Sequence, residues 1–287
     1  MSAVNTIRQA GCSALAAAAV TVAVDAGVRA LPNRVSSALE RTNFHGWTVS
    51  LAEGLGVIGG VLTASALSSP ASHTAAFTGI GALGAVDDIA EPLLAARTGE
   101  AAEKGLRGHL GALRRGRLTT GAAKALAIPF AAAALTSHHR SITDRGIDTV
   151  MIAGGANLIN LLDLRPGRAL KAATALSGAI LLADVARSRC RPTAGPAALP
   201  LLAGVLGTVA SAAPQDLTER GMLGDAGANI LGAAVGAAAS RTLSRPVRVG
   251  TALSMIALTA ASEKISFSSV IENTRLLAAI DSWGRTR

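Results

Sequence analysis

The sequence predicts an all-α polytopic membrane protein, and its composition, its long apolar segments and the distribution of its charges support that fold class. Of the 287 residues, 50% are hydrophobic and only 16% are charged, and the mean hydropathy is +0.43. A soluble protein usually has about 25% charged residues. Here the charges lie in short clusters between long apolar runs, which is typical of a chain that crosses a bilayer repeatedly.

An apolar segment that crosses a hydrocarbon layer of about 30 Å needs about 20 residues. About nine segments qualify: 10–31, 50–69, 73–92, 118–136, 146–163, 168–186, 196–213, 226–243 and 247–262. The first is predicted to be a span rather than a signal peptide, because it is long and lacks a strongly basic start. Small residues four apart, such as Gly232 and Gly236, let helices pack closely in lipid. We expect one transmembrane domain over residues 1–262 and a cytoplasmic amphipathic tail over residues 263–287.

The basic residues set the expected orientation. Counting spans places five segments on one side of the membrane: 31–49, 93–117, 164–167, 214–225 and 263–287. These segments and their flanks hold most of the Lys and Arg residues, including Arg107, Arg114, Arg115 and Arg117. The positive-inside rule makes that side cytoplasmic. We therefore predict a multi-pass protein of the plasma membrane, with an external N-terminus and a cytoplasmic C-terminus.

Two other classes of site are not expected. The net charge of +9 belongs to cytoplasmic loops, and a nucleic acid partner is not predicted because stacking aromatic residues and a soluble basic face are lacking. Cys12 and Cys190 lie in different segments, without the spacing of a metal site or a disulfide framework.

The stretch GIGALGAVDDIAEP ends an apolar helix in three carboxylates. Asp87, Asp88 and Glu91 are three and four residues apart, so they share one face of a helix. Like charges at that spacing repel each other, and more strongly in a low dielectric. A basic side chain or a divalent cation should compensate them. The structural alternative is a solvated helix end.

The stretch GGANLINLLDLRPGRAL places a polar stripe at the inner end of the fifth span. Asn157, Asn160 and Asp163 recur every three residues, and amides at membrane depth mark either helix contacts or a ligand pocket. Arg165 and Arg168 then form a basic turn suited to phosphate oxygens. The same turn could instead only anchor the chain at the membrane surface.

The stretch GMLGDAGANILG places Asp225 among Gly221, Gly224 and Gly227 at a helix start. Glycine lets backbone N–H groups approach an anion at that position, and the helix dipole favours it. An acid among those groups suggests a phosphate bridged by a metal ion. The structural alternative is an N-cap aspartate.

All of these acids are predicted at the cytoplasmic end of the bundle. Mg²⁺ prefers hard oxygen ligands, usually one or two carboxylates plus substrate phosphates. Three acidic clusters, basic loops and a glycine-rich turn on one membrane face therefore suggest a diphosphate substrate bound with Mg²⁺, or with Mn²⁺ as the alternative.

The order and spacing of these motifs resemble the polyprenyl-phosphate N-acetylhexosamine-1-phosphate transferases. This family, glycosyltransferase family 4, includes phospho-N-acetylmuramoyl-pentapeptide transferase and undecaprenyl-phosphate N-acetylglucosamine-1-phosphate transferase. The matching elements are the pair Asp87-Asp88, then Asn157, Asn160 and Asp163, then Gly224-Asp225-Ala226-Gly227. The stretch ERTNFHGWTVSLAEG is similar to the family's first cytoplasmic loop, with Asn43, Gly46 and Val49 matching and Arg41 near its usual basic position. The resemblance covers roughly residues 10–260.

The resemblance implies transfer of a sugar-1-phosphate from a nucleotide sugar, usually UDP-linked, to a polyprenyl phosphate in cell-envelope synthesis. It implies catalytic roles for Asp87, Asp88 and Asp163, and metal binding by Asp225 and Asp88. The implied substrate-binding residues are Arg41, Asn43, Asn157, Asn160, Arg165 and Arg168. The expected partners are the lipid phosphate, the nucleotide sugar and the bilayer, with a second copy of the chain or an envelope-assembly protein in addition.

The chain also departs from the family pattern. Pro166 replaces an acid of the family's turn on the nucleobase side, and Ala228 replaces a serine. The late His-rich loop is missing, and His138 and His139 are predicted to lie outside the cell. Its place is taken by a tail whose apolar residues could lie on the membrane, cover the site or pack on the bundle: Phe267, Val270, Ile271, Leu277, Ile280 and Trp283. A catalytically inactive relative, acting as a lipid-binding or scaffold protein, is therefore the alternative.

Three further classes fit the sequence less well. A membrane prenyltransferase would need a second Asp-rich motif. An intramembrane aspartyl protease would usually have Tyr before its other aspartate, and the chain has no Tyr. A transporter gives no reason for three acidic clusters at one membrane face.

Overall fold

The computed structural model describes residues 3–98, 120–136, 141–190 and 198–285. Most of these residues are helical. In chain order the α-helices are α1 Ala3–Arg29, α2 Asn33–Ser36, α3 Ala52–Ser68, α4 Ala71–Thr98, α5 Thr120–Leu135, α6 Ile142–Leu162, α7 Arg168–Cys190, α8 Leu199–Leu217, α9 Gly224–Thr242, α10 Arg245–Ser262, α11 Phe267–Asn273 and α12 Arg275–Ser282. A short 3₁₀ helix, Ser37–Leu39, leads into strands β1 Glu40–Thr42 and β2 Thr48–Ser50.

Each of the nine apolar segments singled out in the sequence coincides with one long helix, α1 or one of α3–α10. Within the described ranges, two stretches are long and apolar enough to cross a membrane, Val4–Arg29 and Arg168–Ser188. Two shorter apolar helical stretches, Ala52–Ser68 and Lys124–Leu135, accompany them. The helical class is therefore confirmed, whereas nine spans and the orientation of the termini stay predictions.

The expectation of an all-α chain needs one correction, because residues 40–50 form a small antiparallel hairpin. Glu40 pairs with Ser50 and Thr42 with Thr48. Asn43 shapes the turn, since its Oδ1 accepts the backbone N–H groups of His45 and Trp47, both at 2.9 Å. In an Asx-type turn of this kind the side-chain oxygen accepts backbone N–H groups that would donate to carbonyl oxygens in a helix.

Helix α9 lies at the centre of the bundle and packs against α3, α4, α6, α7 and α8. Nearly every residue from Gly224 to Ser240 is buried. Small residues make this possible, since a Cβ added at Gly232 would lie 2.2 Å from the carbonyl oxygen of Gly155 on α6. The two backbones therefore approach each other as closely as helices with small side chains allow.

Ion pairs join the N-terminal turns of α6 and α10, at the opposite end of α6 from Asp163. Arg248 on α10 donates to Asp148 at 2.6 Å and to Asp144 at 3.0 Å on α6. Asp148 is completely buried, so its charge requires this partner. The contact orients α10 relative to α6, on which the polar stripe lies.

Candidate functional site

Lys124 lies between two of the predicted acids, where α4, α5 and α9 meet. Its Nζ donates to Oδ2 of Asp87 at 2.7 Å and also to Oδ2 of Asp225. All three side chains are largely buried, with 15% or less of Lys124 and Asp87 exposed. Since buried carboxylates need a counter-charge, the ammonium group supplies the compensation that the stretch DDIAE requires.

Asp88 caps the N-terminus of α9. Its Oδ1 accepts the backbone N–H of Asp225 at 3.0 Å, and its Oδ2 accepts that of Ala226 at 2.9 Å. Gly224 has a φ of +60°, and a Cβ there would lie 2.7 Å from Oδ2 of Asp88. The helix N-terminus predicted to hold a substrate anion therefore holds the carboxylate of Asp88.

Asp163 lies at the C-cap of α6 and approaches the same point from the other side. It interacts with the backbone N–H of Gly224 and with the charges of Asp88, Asp225 and Asp216. The structure thus brings together the four predicted acids, Asp87, Asp88, Asp163 and Asp225, although they come from three helices distant in sequence. Their catalytic and metal-binding roles stay predictions.

Arg41 joins the hairpin to this cluster, because its Nη2 donates to the backbone carbonyl oxygen of Asp88. Its Nη1 donates to the carbonyl oxygens of Ala38 and Glu40. Three carbonyl acceptors fix the guanidinium group beside the acids, so Arg41 orients the hairpin over α4.

Two acids beside the cluster, Asp216 and Glu53, were not among the site residues predicted from the sequence. Asp216, at the end of α8 beyond the predicted span 196–213, accepts the backbone N–H of Gly167 at 2.9 Å. Burial is the main reason that the pKa of Asp216 rises to about 6, and the charge of Glu219 raises it further, while Gly167, Arg285 and Lys171 act against the rise. Glu53, at the start of α3, is only 1% exposed, and neither carboxylate oxygen has a hydrogen-bond partner among the described residues.

Each missed residue carries a weak signal in the sequence. Lys124 is a lone charge in the apolar segment 118–136, where an ionisable residue suggests a functional site. Asp216 and Glu219 lie in a predicted cytoplasmic loop, where acids are ordinary. Only their contacts distinguish them.

Asn43 and His45 tie the hairpin to the loop after α8. Nδ2 of Asn43 donates to Oε2 of Glu219 at 2.6 Å, and Nδ1 of His45 lies 2.8 Å from the same oxygen. Ser50 also pairs with this loop through Arg220 and Met222. The Asn43 amide is therefore engaged within the protein, and its predicted substrate contact stays a prediction.

The polar stripe of α6 is divided between two roles. Nδ2 of Asn157 donates to Oγ1 of Thr259 on α10 at 3.0 Å, which is the helix contact named as the structural alternative. Asn160 is half-buried, and its backbone carbonyl oxygen accepts the backbone N–H of Asp163 at 3.2 Å, which closes the last turn of α6.

The basic turn after α6 is covered by the C-terminal tail. Nε and Nη2 of Arg168 donate to the two carboxylate oxygens of Asp281 at 2.8 and 2.9 Å, and Nη1 donates to Ser268 at 2.8 Å. Nζ of Lys171 donates to the Asp281 carbonyl oxygen at 2.6 Å. Burial opposes ionisation of Asp281, but Arg168 and Arg285 hold the pKa of its carboxyl below the usual range.

Arg165, like Arg168, forms an ion pair with a carboxylate of the tail. It donates through Nη2 to Oε1 of Glu272 at 2.6 Å, and its guanidinium carbon lies 3.0 Å from the ring centre of Phe44. A cavity of about 370 Å³ opens between these residues and the tail. Both arginines predicted to bind phosphate therefore contact tail carboxylates.

Several expectations lie outside the described residues. These are the side chain of Glu91, the basic cluster Arg107, Arg114, Arg115 and Arg117, the pair His138 and His139, and the side chain of Cys190. Cys12 lies within them and is exposed, with a free thiol.

Two carboxylates of the cluster fit a magnesium ion that substrate phosphates would complete. In the part of the chain that the structure describes, no three His, Cys, Asp or Glu side chains are arranged to hold a metal ion by themselves. Mg²⁺ usually takes only one or two carboxylates from the protein, and Asp87 and Asp225 already direct one oxygen each at the Lys124 ammonium. Asp88 differs from Asp87 and Asp225 in its partners, because both its carboxylate oxygens accept backbone N–H groups. Its metal-binding role stays a prediction.

The site contains four carboxylates, an ammonium group and a helix N-terminus, all largely buried. These groups are suited to binding a cation and a phosphate together. No protein-family model matches the chain, and no curated protein matches it.

Proposed function

We propose that the protein transfers a sugar-1-phosphate from a nucleotide sugar to a polyprenyl phosphate at the cytoplasmic face of the plasma membrane, with Mg²⁺ as cofactor. The reaction joins an oxygen of the lipid phosphate to the β-phosphorus of the donor and breaks the bond between that phosphorus and the oxygen bridging it to the α-phosphorus. The bridging oxygen leaves with the nucleoside monophosphate. The product would serve cell-envelope polysaccharide or peptidoglycan precursor synthesis.

One observation carries the proposal: Asp87, Asp88, Asp163 and Asp225 share one neighbourhood around Lys124. Gathering buried carboxylates is costly unless cations compensate them. The N-terminus of α9 holds Asp88, and Lys124 alone contacts both Asp87 and Asp225, so the four carboxylates outnumber the ammonium group between them. An excess of negative charge supports a site completed by a divalent cation and phosphates.

The role that we propose for each residue follows from its contacts in the structure. Bound Mg²⁺ would screen the repulsion between the two phosphate groups and stabilise charge at the transferring phosphorus. Asp225 and Asp87 would hold it, and Lys124 would turn towards phosphate oxygens. Asp88 keeps the N-terminus of α9 in place, and Asp163, at the end of α6, would orient the donor.

The direct test is an assay of nucleoside monophosphate release. Protein in lipid nanodiscs receives polyprenyl phosphate, MgCl₂ and a panel of nucleotide sugars, and products are separated by chromatography. We expect release that disappears with EDTA, returns with Mg²⁺ or Mn²⁺, and falls at least a hundredfold in Asp225→Asn. Undiminished release in that variant would contradict the metal role, and the exposed-residue variant Phe130→Ala is the control for handling.

A second candidate function, a catalytically inactive relative that binds prenyl lipid or an assembly partner, is favoured by a different observation. Arg165, Arg168 and Asn43 already contact Glu272, Asp281 and Glu219. This candidate predicts binding of polyprenyl phosphate without turnover. It also predicts that Asp87→Asn complements loss of the natural protein in cells as well as the natural protein does. Turnover of any donor excludes it.

A further inference from the structure

Arg241 lies in the last turn of α9, at the end of the bundle opposite the acidic cluster. It follows Asp225 by 16 residues on the same helix, which corresponds to about 24 Å along the helix axis. That length approaches the hydrocarbon thickness of a bilayer, about 30 Å. In a membrane, the acids and Arg241 would therefore lie near opposite headgroup layers.

The side chain of Arg241 contacts neutral groups. Its Nη2 lies 2.5 Å from Nδ1 of His73, in the first turn of α4, and its Nη1 donates to Oγ of Ser69 at 3.3 Å. A guanidinium group has no acceptor, so Nδ1 of His73 accepts and the imidazole is neutral. His73 is 6% exposed, and Arg241 is half-buried. The guanidinium charge is therefore partly removed from water without a carboxylate beside it among the described residues.

This lack of a counter-charge sets Arg241 apart from most arginines that contact another side chain. Four buried or half-buried arginines pair with carboxylates, as Arg29–Asp25, Arg168–Asp281, Arg187–Asp184 and Arg248–Asp148. The helices that meet at Arg241 offer no such partner, because the sequence has no Asp or Glu between Glu53 and Asp87 or between Asp225 and Glu263. A charge removed from water requires a partner, and an anion from outside the chain can supply it.

The same residues have hydrogen-bond donors to spare. A guanidinium group has five N–H donors, and Arg241 forms two hydrogen bonds within the described residues. Ser69 accepts one of them, which leaves its own O–H to donate. The first turn of α4 adds backbone N–H groups that have no acceptor within the helix, at the positive end of its dipole. Ala71 and Ser72 of that turn are exposed, so a ligand can approach it.

We infer that Arg241, Ser69 and the first turn of α4 bind a phosphate oxyanion. Guanidinium groups recognise phosphate oxygens through charge-assisted hydrogen bonds. The headgroup of a phospholipid is the source that the position of the site favours, and free phosphate presents the same oxygens. The inference is independent of the transferase, whose acids lie at the other end of α9.

The test measures binding of phosphatidylglycerol to the full chain in non-ionic detergent by native mass spectrometry. Thermal unfolding in sodium phosphate, compared with NaCl at equal ionic strength, tests free phosphate. We expect Arg241→Gln to bind phosphatidylglycerol at least tenfold more weakly than the natural protein. Ser69→Ala should bind about fivefold more weakly, the effect of one neutral hydrogen bond. Stabilisation by free phosphate that Arg241→Gln abolishes would also support the site and would assign the soluble anion to it.

Arg8→Gln is the matched control, because it removes the same charge from an exposed residue at the same end of the bundle. Its neighbour Gln9 donates to the carbonyl oxygen of Leu67, close in sequence to Ser69. This variant should bind phosphatidylglycerol as the natural protein does. Arg241→Lys keeps the charge but loses the planar group that contacts two oxygens at once, so it should bind more weakly than the natural protein.

Without ligand, Arg241→Gln should melt at or above the temperature of the natural protein, because it leaves no carboxylate unpaired. A lower melting temperature would show that the charge is compensated within the protein and would overturn the inference. Binding of neither phosphate source, equal affinity of the natural protein and Arg241→Gln, or an equal loss in Arg8→Gln would overturn it as well.

Discussion

Arg168 and Asp281 form an ion pair with two parallel hydrogen bonds of 2.8 and 2.9 Å, although 113 residues separate them. Both residues are buried, with 5% and 8% of their surface exposed. Paired geometry of this kind is the strongest form of carboxylate recognition by arginine. The pair therefore fixes the tail on the basic turn that follows α6.

Removing the carboxylate should release the tail. Asp281→Asn leaves the buried Arg168 charge without its partner, at a cost of about 3 kcal/mol. We expect a lower melting temperature and faster proteolysis between residues 263 and 285. Ser268→Ala, which removes only one neutral partner of Arg168, should cost about 1 kcal/mol. Equal melting temperatures for the natural protein and Asp281→Asn would show that the tail is held by other contacts.

Asp216 should make stability depend on pH. Its pKa is about 6 in the folded protein and about 3.9 in an unfolded chain, so the folded state binds more protons between these values. Stability should therefore fall as pH rises from 4 to 6, and the full cost, about 3 kcal/mol, should be present at pH 7.

Asp216→Asn tests this dependence, because the amide oxygen can still accept the Gly167 N–H. The variant should melt at a higher temperature than the natural protein at pH 7 and at a similar temperature near pH 4. The measurement is thermal unfolding across that pH range. A constant difference at every pH would assign the effect to packing rather than to ionisation.

Gly224 should be intolerant of a side chain. Alanine there must keep a φ of +60° and bring Cβ to 2.7 Å from Oδ2 of Asp88. The backbone strain alone costs about 1–2 kcal/mol, and displacement of Asp88 should lower nucleotide release at least tenfold. Gly178→Ala on α7 is the matched control, because no atom lies within 4 Å of its added Cβ. That variant should keep full activity and stability.

Lys124 should act through its charge. Lys124→Met leaves Asp87 and Asp225 without the ammonium group between them, so we expect at least a hundredfold loss of nucleotide release. Mg²⁺ should bind more tightly to this variant, since the ammonium no longer competes for the two carboxylates. Lys124→Arg keeps the charge and should keep the natural Mg²⁺ affinity. Weaker Mg²⁺ binding in Lys124→Met would contradict the competition.

Much of the local structure could be predicted from the sequence. The nine apolar segments match nine helices because a long run of apolar residues has few other ways to satisfy its backbone. Counting those segments also placed Asp87, Asp88, Asp163 and Asp225 at one end of the bundle. The hairpin over residues 40–50 was missed because its strands have three residues each, too few for an alternating pattern to be recognised.

The sequence by itself therefore determined the helices and the grouping of the acids, since both depend on local periodicity and on the order of segments along the chain. Only the tertiary structure decided which partner each charge has: Asp88 with the start of α9, Lys124 between Asp87 and Asp225, and Arg168 with Asp281. The physical reason is that an ion pair depends on separations of a few ångströms. No local pattern specifies those separations for residues that lie between 37 and 138 positions apart in the sequence.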